Sequence, residues 1–128
     1  MTYYYAKTIA RPFDEVVAAT REALSQEGFG VITEIDVRQT MKAKIGEDFR
    51  PYMILGACNP RLAFEALQLE DKVGIMLPCN VIVQDAGEGR TEVAAVDPVA
   101  SMAAIANDAL KEKAAMVGDK LRAAIDRI

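Results

Sequence analysis

Apolar residues recur along this chain with two different periods, and the places where the period changes predict its elements. Over residues 3–9, aromatic and β-branched residues put Tyr3, Tyr5, Lys7 and Ile9 on one face of a first strand, which Pro12 ends. From Phe13 the spacing becomes helical through Val16, Val17, Thr20, Ala23 and Leu24, with Asp14 and Glu15 in the first turn and Gly28 as a natural stop. Residues 29–35 read as a second strand. Asp36 then caps a short helix carrying Val37, Met41 and Ile45, stopped by Gly46. A third strand over 50–57 runs into Asn59-Pro60, a cap followed by a first-turn proline, and a helix with Leu62, Ala63, Ala66 and Leu67 on its apolar side. Residues 73–84 read as a fourth strand with Pro78 as an edge, bulge or bend. The turn at 85–89 returns the chain into a fifth strand over 91–96. Asp97-Pro98 opens the longest helix, expected to reach about residue 127 along a stripe that includes Met102, Ile105, Lys113, Val117 and Leu121.

The order β-α-β-α-β-α-β-β-α predicts an α+β fold: a small twisted sheet of about five strands with helices packed on one face and a long last helix lying across it, the β-α-β stretches allowing parallel neighbours and the pattern alone not settling strand order. No linker or repeat interrupts residues 1–128, which read as a single domain. A helix of ~30 residues would span ~45 Å, longer than so small a body is wide, and this predicts a homodimer that covers the surplus stripe.

Composition narrows the function classes. The chain has 128 residues and a net charge of −4, and its lysines and arginines form no cluster, so nucleic-acid binding is not expected. No apolar run approaches the ~20 residues of a membrane span, and no leader-like segment is evident, so a cytoplasmic location is expected. Histidine is absent, which removes Ser-His-Asp and Cys-His nucleophile activation and histidine-based zinc sites. No catalytic carboxylate pair, GxGxxG or P-loop pattern emerges. No catalytic residue, cofactor or metal is therefore assigned.

The remaining chemistry gathers in two echoing steps, Cys58-Asn59 and Cys79-Asn80. Cys58 precedes a predicted helix N-terminus, where backbone N–H groups and the helix dipole stabilise a thiolate. Cys79 lies beside the proline-bent strand. If their strands are neighbours, the two thiols can face each other and support a disulfide, a soft metal or a persulfide. The plainer reading leads: free cysteine is among the most buried residue types, and both sulfurs then serve as packing. Asn59 already has work as a cap, whereas Asn80 in mid-strand is unexplained by propensity. Arg50 and Tyr52 share a strand side and are candidates for a pocket wall.

These motifs in their order resemble the family catalogued as domain of unknown function 302. The resemblance is carried by Gly28-Phe29, Thr33-Glu-Ile-Asp36, Phe49-Arg-Pro-Tyr52, Leu55-Gly-Ala-Cys-Asn-Pro60, Leu77-Pro-Cys-Asn80 and Asp97-Pro98. It implies a compact α+β domain grouped near the TATA-binding-protein-like folds, with a curved, mainly antiparallel sheet and a long C-terminal helix, cysteine matching at positions 58 and 79, and no established activity. Three readings follow. The favoured one is a small ligand-binding module with a pocket between sheet and long helix, lined by Cys58, Asn59, Cys79, Asn80, Tyr52 and Arg50. The second is a thiol-based redox, sulfur-transfer or soft-metal protein using Cys58 and Cys79. The third is a dimeric structural or regulatory domain.

Overall fold

The computed structural model describes residues 2–128 and contains five strands: β1 (Tyr4–Ile9), β2 (Gly30–Asp36), β3 (Tyr52–Cys58), β4 (Cys79–Gly87) and β5 (Arg90–Val96). They form one antiparallel sheet in the order β1-β5-β4-β3-β2. The helices are α1 (Phe13–Gln26), α2 (Val37–Ile45), α3 (Pro60–Leu69), the single turn α4 (Pro98–Ser101) and α5 (Asp108–Asp126). The α+β fold, the five-stranded sheet and the C-terminal helix are as the sequence predicts.

Local chemistry explains most boundaries. Asp36 accepts a hydrogen bond from the Gln39 N–H at 2.9 Å and Asn59 from the Leu62 N–H at 3.2 Å, so each offers its helix the bond its first turn lacks. Gly46 ends α2 in the left-handed conformation, with φ of 69°.

Two expectations are corrected. The fourth strand does not begin at Val73. Residues Val73–Met76 form a 3-10 turn with Val73 fully buried, and pairing starts only at Cys79, after Pro78. Proline has no N–H to give a ladder, so the apolar run is divided between a packed turn and a strand. Nor does one helix run from Pro98. The chain leaves helix after Ser101, and Asn107 starts α5 afresh by accepting from the Leu110 N–H at 3.0 Å. The Asn107 amide also donates to the Leu69 carbonyl at 3.0 Å, tying the break to the end of α3. At 19 residues α5 spans only ~28 Å, so helix length gives no ground for a dimer. At Gly118 α5 passes Pro98, and a Cβ there would lie 3.4 Å from the proline Cδ.

The inner face of the sheet carries Leu55, Val81, Val83, Val93 and Ala95, all buried against Val16 and Leu24 of α1 and Leu121 and Ile125 of α5. Tyr5 donates to the Asp126 carboxylate at 2.6 Å and Lys7 to the Ile128 carbonyl at 2.7 Å, fixing the end of α5 on β1. Arg127 pairs with Glu27 at 2.7 Å and fixes the same end on α1. A smaller core lies beside the first, where Ala66 of α3, Val73, Met102, and Leu110 and Ala114 of α5 pack together. The seam between these two cores positions the site.

Candidate functional site

The two cores do not close on each other completely. Between them, at the β3/β4 end of the sheet and under α3 and α5, lies a pocket of about 340 Å³. The main core contributes Phe29, Ala57 and Cys79 to its wall, the smaller core Ala66, Met102 and Leu110. The pocket exists because β3 delivers the chain to α3 through Asn59, and β5 delivers it to α5 through the irregular segment after Ser101. Each connection swings a helix over the sheet end, and the space is left where small residues, Ala63 and Ala66 of α3 and Ala114 of α5, stand between Leu62, Leu110 and Val117.

Polar groups on the wall are few. The Asn59 Oδ1 is spent on the Leu62 N–H. Its Nδ2 lies over Gly28, where a Cβ would approach to 3.2 Å, and it has no protein acceptor among the described residues. No buried side-chain nitrogen or oxygen is unpaired among those residues, so this amide reaches open space rather than being sealed in the core. Lys113 of α5 is the one charged residue on the wall. Its Nζ meets the Glu65 carboxylate of α3 at 2.8 Å, and the pair is about one-third exposed.

Cys58 and Cys79 both reach this pocket. Cys79 stands opposite Ala57 in the ladder and is 6% exposed. Burial pushes its thiol up to about 11, and nearby Cys58 adds to the rise. Cys58, at the end of β3, is only partly buried. Among the described residues no three His, Cys, Asp or Glu side chains gather as metal ligands do.

The sequence-predicted site residues divide. Cys58, Asn59 and Cys79 come together, whereas Asn80, Tyr52 and Arg50 lie on the face of the sheet opposite α1 and α5. The period of two explains this: Cys79 faces inward with Ala57, so Asn80 faces outward with Gly56. On that face the Arg50 Nε donates to Gln84 at 2.9 Å, and Gln84 donates to Glu92 at 2.8 Å. The Arg50 guanidinium rests on the Phe49 and Tyr52 rings, 4.5 and 5.4 Å from their centroids. A trough of about 410 Å³ includes Tyr52 and Asn80 and is comparably open, but this polar row crosses it, and the more apolar pocket is the better binding site. Sequence reasoning missed Lys113 and Glu65 as a pair. A lysine set within an otherwise apolar helical stripe was the available signal.

Thiol reactivity separates the two cysteines. Against a free thiol at ~8.5, Cys79 at about 11 holds on the order of a hundredfold less thiolate at pH 8, before any effect of access. Cys79 in the Cys58→Ser variant should therefore alkylate at least about tenfold more slowly than the partly exposed Cys58 in the Cys79→Ser variant, the greater nucleophilicity of a high-pKa thiolate offsetting part of the deficit. Equal rates would contradict the burial of Cys79. The same shift has a stability consequence. The folded state holds the Cys79 proton more tightly than the unfolded chain, so the contribution is fully present below the unfolded pKa and is lost as pH rises through about 11. A shift of that size amounts to ~2–3 kcal/mol, and the Cys79→Ala variant should show a correspondingly flatter loss of stability between pH 8 and 11.

Comparison with known proteins bears on the whole chain. The sequence profile described as "Domain of unknown function DUF302" matches residues 5–128. A crystal structure titled as that of an uncharacterized conserved DUF302 protein from Bacillus stearothermophilus is similar, with 31% sequence identity and a TM-score of 0.91. The alignment covers 99% of this chain and 98% of that one. No curated protein matches. No helix among the described residues is long and apolar enough to cross a membrane.

Proposed function

This chain belongs to the DUF302 family, and we propose that it is a small-molecule binding module whose ligand sits in the seam between its two cores. The observation that carries this reading is the half-open apolar pocket of about 340 Å³, at the low end of the ~300–1,000 Å³ usual for ligand sites. Its wall supplies apolar surface with a few polar groups at one side, which is how such sites combine affinity with orientation. No base or oxyanion site accompanies it, so binding is favoured over catalysis. Calorimetric titration with short 1-alkanols tests the reading. Affinity should rise about fourfold per methylene, from ~0.8 kcal/mol each, and should level off when the pocket is full. Absence of binding by 1-octanol at millimolar concentration would end it.

The thiol reading ranks second. Cys58 and Cys79 share the pocket, but Cys79 is held protonated by burial, which disfavours both metal ligation and nucleophilic attack.

Self-association keeps a separate ground. On the face opposite α1 and α5, ladder partners Ala6, Ala94, Ile82, Ile54 and Ile35 form an apolar row across all five strands, with Tyr4 and Ile35 45% and 47% exposed beside and within it. We propose a second copy of this chain as its cover. Light scattering should then return twice the 13.9 kDa chain mass for the wild type and a single chain for Ile82→Glu. A wild type that remains at the single-chain mass at micromolar concentration would overturn it.

A further inference from the structure

We propose that the ligand of this pocket is an amphiphile with a short apolar body and an anionic head of the carboxylate class, and that the head is held at Lys113 between α3 and α5. This rests on the binding-module reading above. It adds the ligand's chemistry and orientation.

The free polar side-chain atoms of the lining residues all donate. Lys113 has three N–H groups and no acceptor, and Glu65 engages the ammonium from one side at 2.8 Å. Asn59 has its carbonyl oxygen occupied by the Leu62 N–H, so the part that reaches the pocket is its amide nitrogen. The two thiols are weak donors, and that of Cys79 stays protonated at neutral pH. No carboxylate lies on the wall. A ligand that brought its own donor or a cation would find no acceptor there except by displacing Lys113 from Glu65. One that brought acceptors and a negative charge would find a cation with N–H groups to spare.

The placement of the charge also fits. Lys113 is 31% exposed and Glu65 35% exposed, so the pair sits at the mouth, while Leu110, Ala114 and Ala66 lie deeper. The lysine stem thus runs over apolar wall with its ammonium at the water boundary, where an amphiphile's head would also lie. Exchange of Glu65 for a ligand carboxylate costs little because an ion pair about one-third exposed contributes little and its carboxylate can return to water.

The test titrates octanoate, 1-octanol and octylamine into the folded wild type, Lys113→Met and Glu65→Gln. Lys113→Met keeps the apolar stem and removes the charge. It should weaken octanoate about tenfold, the worth of one charge-assisted hydrogen bond, and change 1-octanol by less than twofold. Glu65→Gln removes the competing carboxylate and should tighten octanoate several-fold without moving 1-octanol, which keeps the proposal testable should Lys113→Met fail to fold. Octylamine should bind weakest of the three. Octanoate binding that is indifferent to both substitutions, or octylamine binding as tightly as octanoate, would overturn the anionic head while leaving the binding module standing. Failure of both octanoate and 1-octanol to bind the wild type would remove the module and this inference together.

Discussion

Gly56→Ala should cost the protein about 3 kcal/mol and lower Tm by on the order of 10 °C, although it adds a single methyl group. Gly56 is buried in the middle of β3, on the face of the sheet away from α1 and α5. A Cβ there would fall 2.0 Å from the Thr33 Oγ1 and 2.7 Å from the Pro78 Cγ, distances that no packed carbon tolerates. Thr33 belongs to an edge strand and can turn its side chain away, whereas the Pro78 ring is fixed to its backbone. The Thr33→Ala change should therefore restore only part of the loss in the double variant. Gly30→Ala is the control: nothing lies within 4 Å of the added carbon, and stability should hold or rise slightly. Urea unfolding of the four proteins checks all of this. A Gly56→Ala protein as stable as the wild type would mean that the β3–Pro78 contact is not as close as described.

Ala63→Phe should abolish 1-octanol binding, weakening it at least a hundredfold, while stability stays level or increases. Ala63 is half-buried on α3 and lines the pocket, so a ring placed there enters space that the two cores leave unfilled. Phenylalanine gives up roughly 0.5 kcal/mol of helix propensity relative to alanine, and burial of its ring returns ~1.5–3 kcal/mol. Loss of binding together with undiminished Tm distinguishes a filled pocket from a damaged fold. Phe64, the next residue, is 61% exposed, and Phe64→Ala should leave binding unchanged. Should Ala63→Phe bind 1-octanol as the wild type does, the ligand lies elsewhere.

What the sequence made legible is what depends on near neighbours in the chain. Asp36, Asn59 and Asp97 each accept from a backbone N–H two or three residues onward, so cap and helix start are written within one turn. Gly28 and Gly46 adopt the left-handed conformations that end their helices, with φ of 85° and 69°. Misreadings arose where a local pattern continues past a tertiary decision. Ala103, Ala104 and Ala106 extend a good helix-forming composition across a break that Asn107 and its bond to Leu69 enforce. Asn107-Asp108 was the overlooked start signal. Val73–Met76 is apolar enough for a strand, yet it is taken up as a turn that buries Val73 in the smaller core.

For the candidate site the division is sharper. Strict alternation already separates Cys79 from Asn80, so their echo in sequence could not be a shared pocket wall. The pocket itself has no sequence signature, because it is the misfit between two cores whose walls include residues as far apart as Ala57 and Leu110.

The central claim is that a ligand occupies the seam between those cores, and amide chemical-shift mapping with 1-octanol tests it most directly. The account predicts that saturating 1-octanol moves the amides of Ala57, Leu62, Ala63, Leu110 and Ala114 and leaves those of Asn80, Ile82 and Ala94 in place. Shifts confined to Asn80, Ile82 and Ala94, or none at all, would contradict it.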